Sequence, residues 1–451
     1  MTLPPGPQRT TAVHLWRWLW RPFPFLEECR ERYGETFLLH IASMPPLVIL
    51  SNPEHIREVF AANGDDMHAG EVAIALRPFL GARSLILLDG PEHMRMRKLV
   101  LPPFHGERMQ AYGRDIVAIT HDAVDGWPLG ERFAVQRPMQ RITMEVILRT
   151  VFGLDEAGSR GRIGAMLEDL LETATWPPLL VPAVQRDLGP WSPWGRYQRK
   201  AARANETLLG EIHRRRVAGT AGRVDILSML LDVRDEQGNG LTEEDLRDQL
   251  VTLLVAGHET TATSLAWALH WILGDERVRR RLDAEVAEAQ RDGGLTPERV
   301  AKMEYRDSVI RETMRLRPVI PLVGRVLQKP MRIGGYDLPA GVAVAPSIYL
   351  THRNPAVFDD PERFRPERFL EKKYAPTEWF PFGGGIRRCI GMAFALYEMK
   401  MVLATVLSRV DLRAAPGRPV VPVRRAITLS PSQGMPVIMA SRWPRPAALN
   451  A

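Results

Sequence analysis

The stretch WFPFGGGIRRCIGMAFA, residues 379–395, decides how the rest of the chain is read. It holds three consecutive glycines, two arginines and Cys389, one of only 2 cysteines among 451 residues. The apolar run that follows, IGMAFALYEMKMVLATVL, is rich in strong helix formers. A cysteine in this setting has three readings: a buried structural thiol, a nucleophile or a metal ligand. A nucleophile needs a nearby histidine base, which sequence alone does not place. Zinc would want Cys or His companions at close spacing, and none stands there.

Gly383, Gly384, Gly385 and Gly391 permit positive φ or a close backbone approach to something flat and bulky. A helix amino end favours thiolate over thiol through its dipole and free N–H groups. One thiolate at a helix start, reached by a glycine-lined loop, suits the axial ligand of a haem iron. The other cysteine, Cys29, lies in the polar run FLEECRERYG and reads as structural.

Composition agrees with a large soluble protein. Hydrophobic residues at 45% supply a substantial core, and charged residues at 25% are ordinary. Lys and Arg exceed Asp and Glu by 60 to 53, an excess spread along the chain, so no nucleic-acid partner is expected. Two cysteines exclude a disulfide framework and fit a reducing cytoplasm. The aromatic segment LWRWLW is too short to span a bilayer and is expected to pack on the protein body rather than touch a membrane. Helical periodicity runs from about residue 115 to 317, while strand-like stretches such as TFLLHIA, LVILSN and VPVRRAITLSPSQGMPVIMA lie towards the ends. Gly334-Gly335 reads as a turn between two of them. No linker or repeat divides the chain, so residues 1–451 are read as one large domain, mainly α with a minor β portion.

Phe382, Gly385, Arg387, Cys389 and Gly391 stand at the spacing F-x-x-G-x-R-x-C-x-G, which resembles the haem loop of the cytochrome P450 family. Three further segments carry the same resemblance. LLVAGHETTATSLAWAL, residues 253–269, is an apolar helix interrupted by polar residues that need partners in a core. It is similar to the family's A-G-x-D/E-T-T motif through Ala256, Gly257, Glu259, Thr260 and Thr261, with Glu in place of the commoner Asp. The resemblance implies that Thr260 hydrogen-bonds dioxygen, that Glu259 serves proton supply, and that Ala256 and Gly257 leave room over the iron.

In RETMRLRP, residues 311–318, Glu312 and Arg315 share a helical face. With Arg368 of the second PERF segment they resemble the family's buried structural network; a competing PERF occupies residues 361–364. GPEHMRMRKLVLPPF, residues 90–104, is similar to the family's H-x-x-x-R helix. That likeness implies propionate contacts from His93 and Arg97, joined by Arg325 and Arg387; Arg388 is left without a partner.

The resemblance spans nearly the whole chain and implies a single domain of the cytochrome P450 fold. It also implies haem b (heme b) bound through the Cys389 thiolate, dioxygen as co-substrate, and Thr260 and Glu259 as the catalytic pair. Because PPGP stands almost at the start, a bacterial-type, cytoplasmic, monomeric enzyme without a membrane span is expected. Electrons should come from NAD(P)H through a separate ferredoxin and ferredoxin reductase. A haem-thiolate peroxygenase or isomerase, and a haem-based sensor, are the alternatives, and the retained Glu259-Thr260 pair argues against both.

By position, residues 71–81, 172–182, 318–323 and 426–431 should line the substrate pocket. Within them Phe79, Trp176, Leu179, Val319, Leu322 and Ile427 are the candidate contacts. Such walls suit a terpenoid or steroid first and a fatty acid second, because Arg77 is the only cation in these four segments.

Overall fold

Thr242 opens the longest helix with a reciprocal cap: its side chain accepts from Asp245 N while Asp245 accepts from Thr242 N. The central helix then runs 32 residues, Glu243–Gly274, about 48 Å at 1.5 Å per residue. From residue 261 to 269 it is buried on every side, which an amphipathic surface helix never is. The helices Gln136–Thr150, Pro193–Ala218, Glu304–Leu316 and Met392–Arg409 supply that burial. The principal core lies between them, with Ile147, Leu265, Val309 and Val402 fully inaccessible or nearly so.

This is a computed structural model that describes residues 3–7, 12–41, 44–104, 108–154, 157–180, 184–189, 191–291, 295–425 and 427–445. Among the described residues no helix is long and apolar enough to cross a membrane. The aromatic helix Ala12–Trp20 packs Leu15 and Trp18 on the body, as expected, and its Trp18 and Leu19 carbonyls accept from Arg424.

The early and late strands join one sheet, in the order Thr36–Leu39, Leu47–Leu50, Ala343–Pro346, Arg325–Leu327, Met67–His68. Leu47–Leu50 and Ala343–Pro346 pair in parallel, Leu47 opposite Ala343, and the other pairings are antiparallel. Gly334 and Gly335 turn the hairpin between Met331–Ile333 and Tyr336–Leu338 with φ of 58° and 84°, the positive values a two-residue turn of this kind needs. A second hairpin, Pro422–Arg425 with Thr428–Pro431, lies against the central helix and brings chain-terminal residues to its middle. The result is the mainly helical architecture with minor sheets that the sequence predicts.

Candidate functional site

Cys389 sits on a loop fastened at both ends. Phe380 N donates to the buried His352 at 3.0 Å, and Cys389 N donates to Phe382 O at 3.0 Å. The helix Met392–Arg409 begins three residues later, with Gly391 as its cap. Gly385 is required by the fold itself: φ is 62°, and a Cβ would lie 2.4 Å from Phe60 O. The glycines before the cysteine therefore admit the neighbouring 53–61 helix, not only a flat ligand, whereas a Cβ at Gly391 would meet nothing within 4 Å.

The sulfur's surface is open although protein surrounds it, so it borders an enclosed hollow rather than bulk solvent. Burial pushes the Cys389 thiol up, while the Gly391 N–H and the charges of Arg97 and Arg388 pull it down. Arg388 is exposed and donates to Met392 Sδ at 2.9 Å, so it does have a neighbour.

Three arginines converge on His93. Burial first, then the charges of Arg387, Arg97 and Arg325, push the His93 imidazole down to about 3. At that value the imidazole is neutral and offers a ring N–H. The arginines are not equally available. Arg325 donates to Val59 O at 2.9 Å and Gly384 O at 2.7 Å, and Arg387 is bound by Asp89 and by the Leu85 and Leu88 carbonyls. The Arg97 side chain makes no hydrogen bond or ion pair among the described residues, and its charge is felt at Cys389. A solitary thiol on a hollow, beside a surplus of buried cations, is the donor set that an anionic haem with two carboxylates fits.

On the opposite element, Thr260 Oγ1 donates to Ala256 O at 2.5 Å, one turn back along the central helix. Ala256 is exposed midway along this otherwise buried helix because it faces a cavity. Gly257 does not face it: a Cβ there would come within 3.3 Å of Ile147 Cδ1, so its small size serves packing with the Gln136–Thr150 helix. Glu259 is gripped by Gln140 Nε2 at 2.6 Å, with Gln136 Nε2 at 3.4 Å and Ser430 Oγ at 3.5 Å. Its ionic partner is Arg425, 3.2 Å from Oε1. Gln140 and Arg425 have no role in the sequence reading, and His258 falls at the free position of its A-G-x-D/E-T-T segment; among the described residues its Nε2 is buried without a partner.

The cavity has a volume of about 390 Å³ and runs along the central helix from Arg247 to Thr260. Leu167, Leu170, Tyr197, Ala204 and Leu208 form the far wall, and Phe79 and Ile427 line it as predicted. Four expected contacts do not. Trp176 is 48% exposed at the surface, and Leu179 is buried instead against Trp194 and Tyr197. Val319 is turned into the protein, where its carbonyl accepts Leu429 N, and Ile320 takes its place at the wall. Leu322 bridges to Ser347 and packs on a separate core. Residues 181–182 and 426 of the expected lining lie outside the described residues. Arg77 is exposed and does not itself line the cavity, although its neighbours Leu76 and Pro78 do; the lining arginines are Arg247 and Arg425.

Behind the cysteine loop, Arg315 grips Glu312 with Nε at 2.7 Å and Nη2 at 2.9 Å, and Arg368 Nε reaches the same carboxylate at 3.1 Å. The PERF segment that supplies Arg368 is the second; the first contributes the Pro361 and Arg363 carbonyls that accept from Arg315.

The sequence model of the family described as Cytochrome P450 matches residues 4–437. The chain belongs to the cytochrome P450 family. It is 41% identical over 418 residues to cytochrome P450 135B1 of Mycobacterium tuberculosis and of Mycobacterium bovis, covering 91% of this chain and 86% of theirs. Cytochrome P450 135A1 of Mycobacterium tuberculosis is 34% identical over 438 residues, 96% of this chain and 94% of its own. The solved structure of retinoic acid bound cyanobacterial CYP120A1 superposes with a TM-score of 0.86 at 24% identity, covering 98% of this chain and 100% of that one. Membership makes this P450 a haem-thiolate monooxygenase. Its cofactor is haem b held by a cysteine thiolate, its co-substrate is dioxygen, and P450s in general take electrons from redox partners.

Proposed function

We propose that this P450 hydroxylates a lipophilic small molecule held in the cavity along the central helix, with a ferredoxin and its reductase supplying electrons from NAD(P)H. The observation that carries this reading is the meeting of an apolar cavity of about 390 Å³ with Ala256, Glu259 and Thr260 on one helix face. Residues 1–451 act as one catalytic domain; Leu38 N bonds Pro5 O at 2.9 Å and Trp443 N bonds Arg409 O at 2.8 Å, so both ends are tied into the body.

Cys389 would hold the haem iron through its thiolate, its negative charge favoured by the Gly391 N–H and by Arg97. His93 and Arg97 would hold the haem propionates, with Arg325 and Arg387 completing the positive surroundings. When bound, haem supplies the activation of dioxygen and the attack on a C–H bond. The chain's own part is to orient and to move protons. Thr260 Oγ1, now donating to Ala256 O, keeps its lone pairs open to the cavity as a proton acceptor. Glu259, held by Gln140, passes protons inwards, and the leucine wall keeps bulk water from the reacting carbon.

Thr260→Ala should keep haem and bind substrate, yet divert most reductant to peroxide or water. The check is the ratio of hydroxylated product to NAD(P)H consumed, and stoichiometric coupling in the variant would remove Thr260 from this role. Peroxide alone should support little turnover; efficient peroxide-driven hydroxylation would favour the peroxygenase reading.

Ferredoxin docking is expected on the cysteine side, where Arg388 is exposed. Reduction by an acidic ferredoxin should therefore slow as ionic strength rises to about 0.15 M, where the Debye length is about 8 Å. A rate indifferent to salt would exclude that docking mode. The preference for neutral terpenoids or steroids over fatty acids rested on Arg77, and with Arg425 at the cavity instead, acidic lipids move ahead.

A further inference from the structure

The cavity wall is mostly apolar, its charged lining residues form two ion pairs, and the pairs differ in kind. At one end Arg247 donates to Asp248 Oδ1 through Nε at 2.8 Å and Nη2 at 2.5 Å, a directed pair that leaves Nη1 without a hydrogen bond among the described residues. At the other, Arg425 Nε lies 3.2 Å from Glu259 Oε1, but the geometry is not that of a hydrogen bond, and this buried Nε has no partner. Among the described residues the Arg425 guanidinium makes no hydrogen bond at all. Its side chain is 36% exposed and contributes to the cavity lining. Glu259 does not depend on it, because Gln140 holds Oε2 at 2.6 Å from another helix.

A guanidinium carries five donors in a rigid fork, and leaving them unpaired beside an apolar wall is costly. The group that satisfies such a fork is planar and anionic, taking two parallel N–H bonds. The wall offers only Glu259, which faces Nε and is already engaged by Gln140, while His258 beside it carries no charge. Burial first, and then the Arg425 charge, keep that imidazole neutral.

We propose that Arg425 is the head-group site of the cavity and that the substrate is a lipophilic carboxylic acid. Its carboxylate takes the Nη edge of the guanidinium while Nε continues to face Glu259. This rests on the cavity being the substrate pocket, as read above. One cation is then shared by two carboxylates, so the charge near Thr260 becomes net negative only when an acid is bound, and a neutral lipid leaves the donors unsatisfied.

The test is an optical titration of the haem-loaded enzyme with palmitic acid and with abietic acid, each against its methyl ester. The proteins are wild type, Arg425→Gln, Arg425→Lys and the exposed Arg77→Ala. In wild type at least one acid should bind about tenfold or more tightly than its ester, the scale of a charge-assisted hydrogen bond. Arg425→Gln should bring acid and ester to near parity, Arg425→Lys should lose part of the preference because it keeps charge without the fork, and Arg77→Ala should keep all of it. Parity for both skeletons in wild type, or a preference unchanged in the Gln variant, overturns the proposal. If the Gln variant does not fold, an undiminished preference in the Lys variant overturns it equally. Failure of acids and esters alike to perturb a properly thiolate-ligated haem counts instead against the cavity as the substrate pocket.

Discussion

Cys389→Ser should yield a protein whose reduced carbon monoxide complex lacks the red-shifted Soret band of a haem thiolate, while Cys29→Ser keeps the band in full. The two sulfurs occupy opposite environments. Cys29 is 4% exposed in a cluster with Phe25, Leu26 and Phe37, and burial pushes its thiol up to about 11, so it packs as a small apolar group. Cys389 is also driven up by burial, but the Gly391 N–H and two arginine charges act in the other direction, and its surface opens on a hollow. A serine hydroxyl placed there matches the shape without furnishing a sulfur donor. The loop should survive the change, since Cys389 N to Phe382 O and Phe380 N to His352 involve no sulfur. Loss of the band with unchanged circular dichroism is the expected pair of results, and a normal band in the Cys389 variant would sink the ligand assignment.

What could be read from sequence was whatever is local. The ligand loop compresses its chemistry into ten residues, and the Glu312–Arg315 pair lies within one helical turn. Long apolar periodicity likewise gives the central helix and its neighbours. The strand Ala343–Pro346 shows the limit: buried on both faces at the middle of the five-stranded sheet, it has no alternation to mark it. The cavity was less legible still. Leu167 and Leu179 are the same residue type in the same part of the chain. Only the packing of Ala157–Ala174 against Pro193–Ala218 decides that the first faces the cavity and the second faces Trp194. Arg425 sits in a hairpin far along the chain from Glu259, and nothing near either residue announces the other. The close packing of Gly257 on Ile147 was equally hidden, because Ile147 enters from a separate helix.

Glu312→Gln should destabilise the protein by about 3–5 kcal/mol, a large part of the roughly 5–15 kcal/mol that holds a typical domain folded. Glu312, Arg315 and Arg368 are at most 1% exposed, so water cannot replace a lost partner. The carboxylate accepts from four donors on three residues: Arg315 Nε and Nη2, Arg368 Nε, and Arg365 N at 2.8 Å. Burial pulls the Arg315 guanidinium down, and the Glu312 hydrogen bonds are what oppose that pull. An amide keeps the shape but leaves two buried guanidinium groups facing a neutral group, one of whose ends is itself a donor. The consequence reaches the site, because Arg315 and Arg368 also clamp the carbonyls of His352, Asp359 and Pro361, and His352 in turn accepts Phe380 N at the start of the cysteine loop. Urea denaturation followed by far-ultraviolet circular dichroism and by the Soret band should show both midpoints falling together, with haem lost at lower urea than in wild type. Arg280→Ala, which breaks an exposed i,i+4 pair with Glu276, is the comparison and should leave both midpoints nearly unmoved. Equal midpoints for Glu312→Gln and Arg280→Ala would mean that the buried triad carries no structural weight, and that the cysteine loop is held by its own glycine turns and backbone bonds alone.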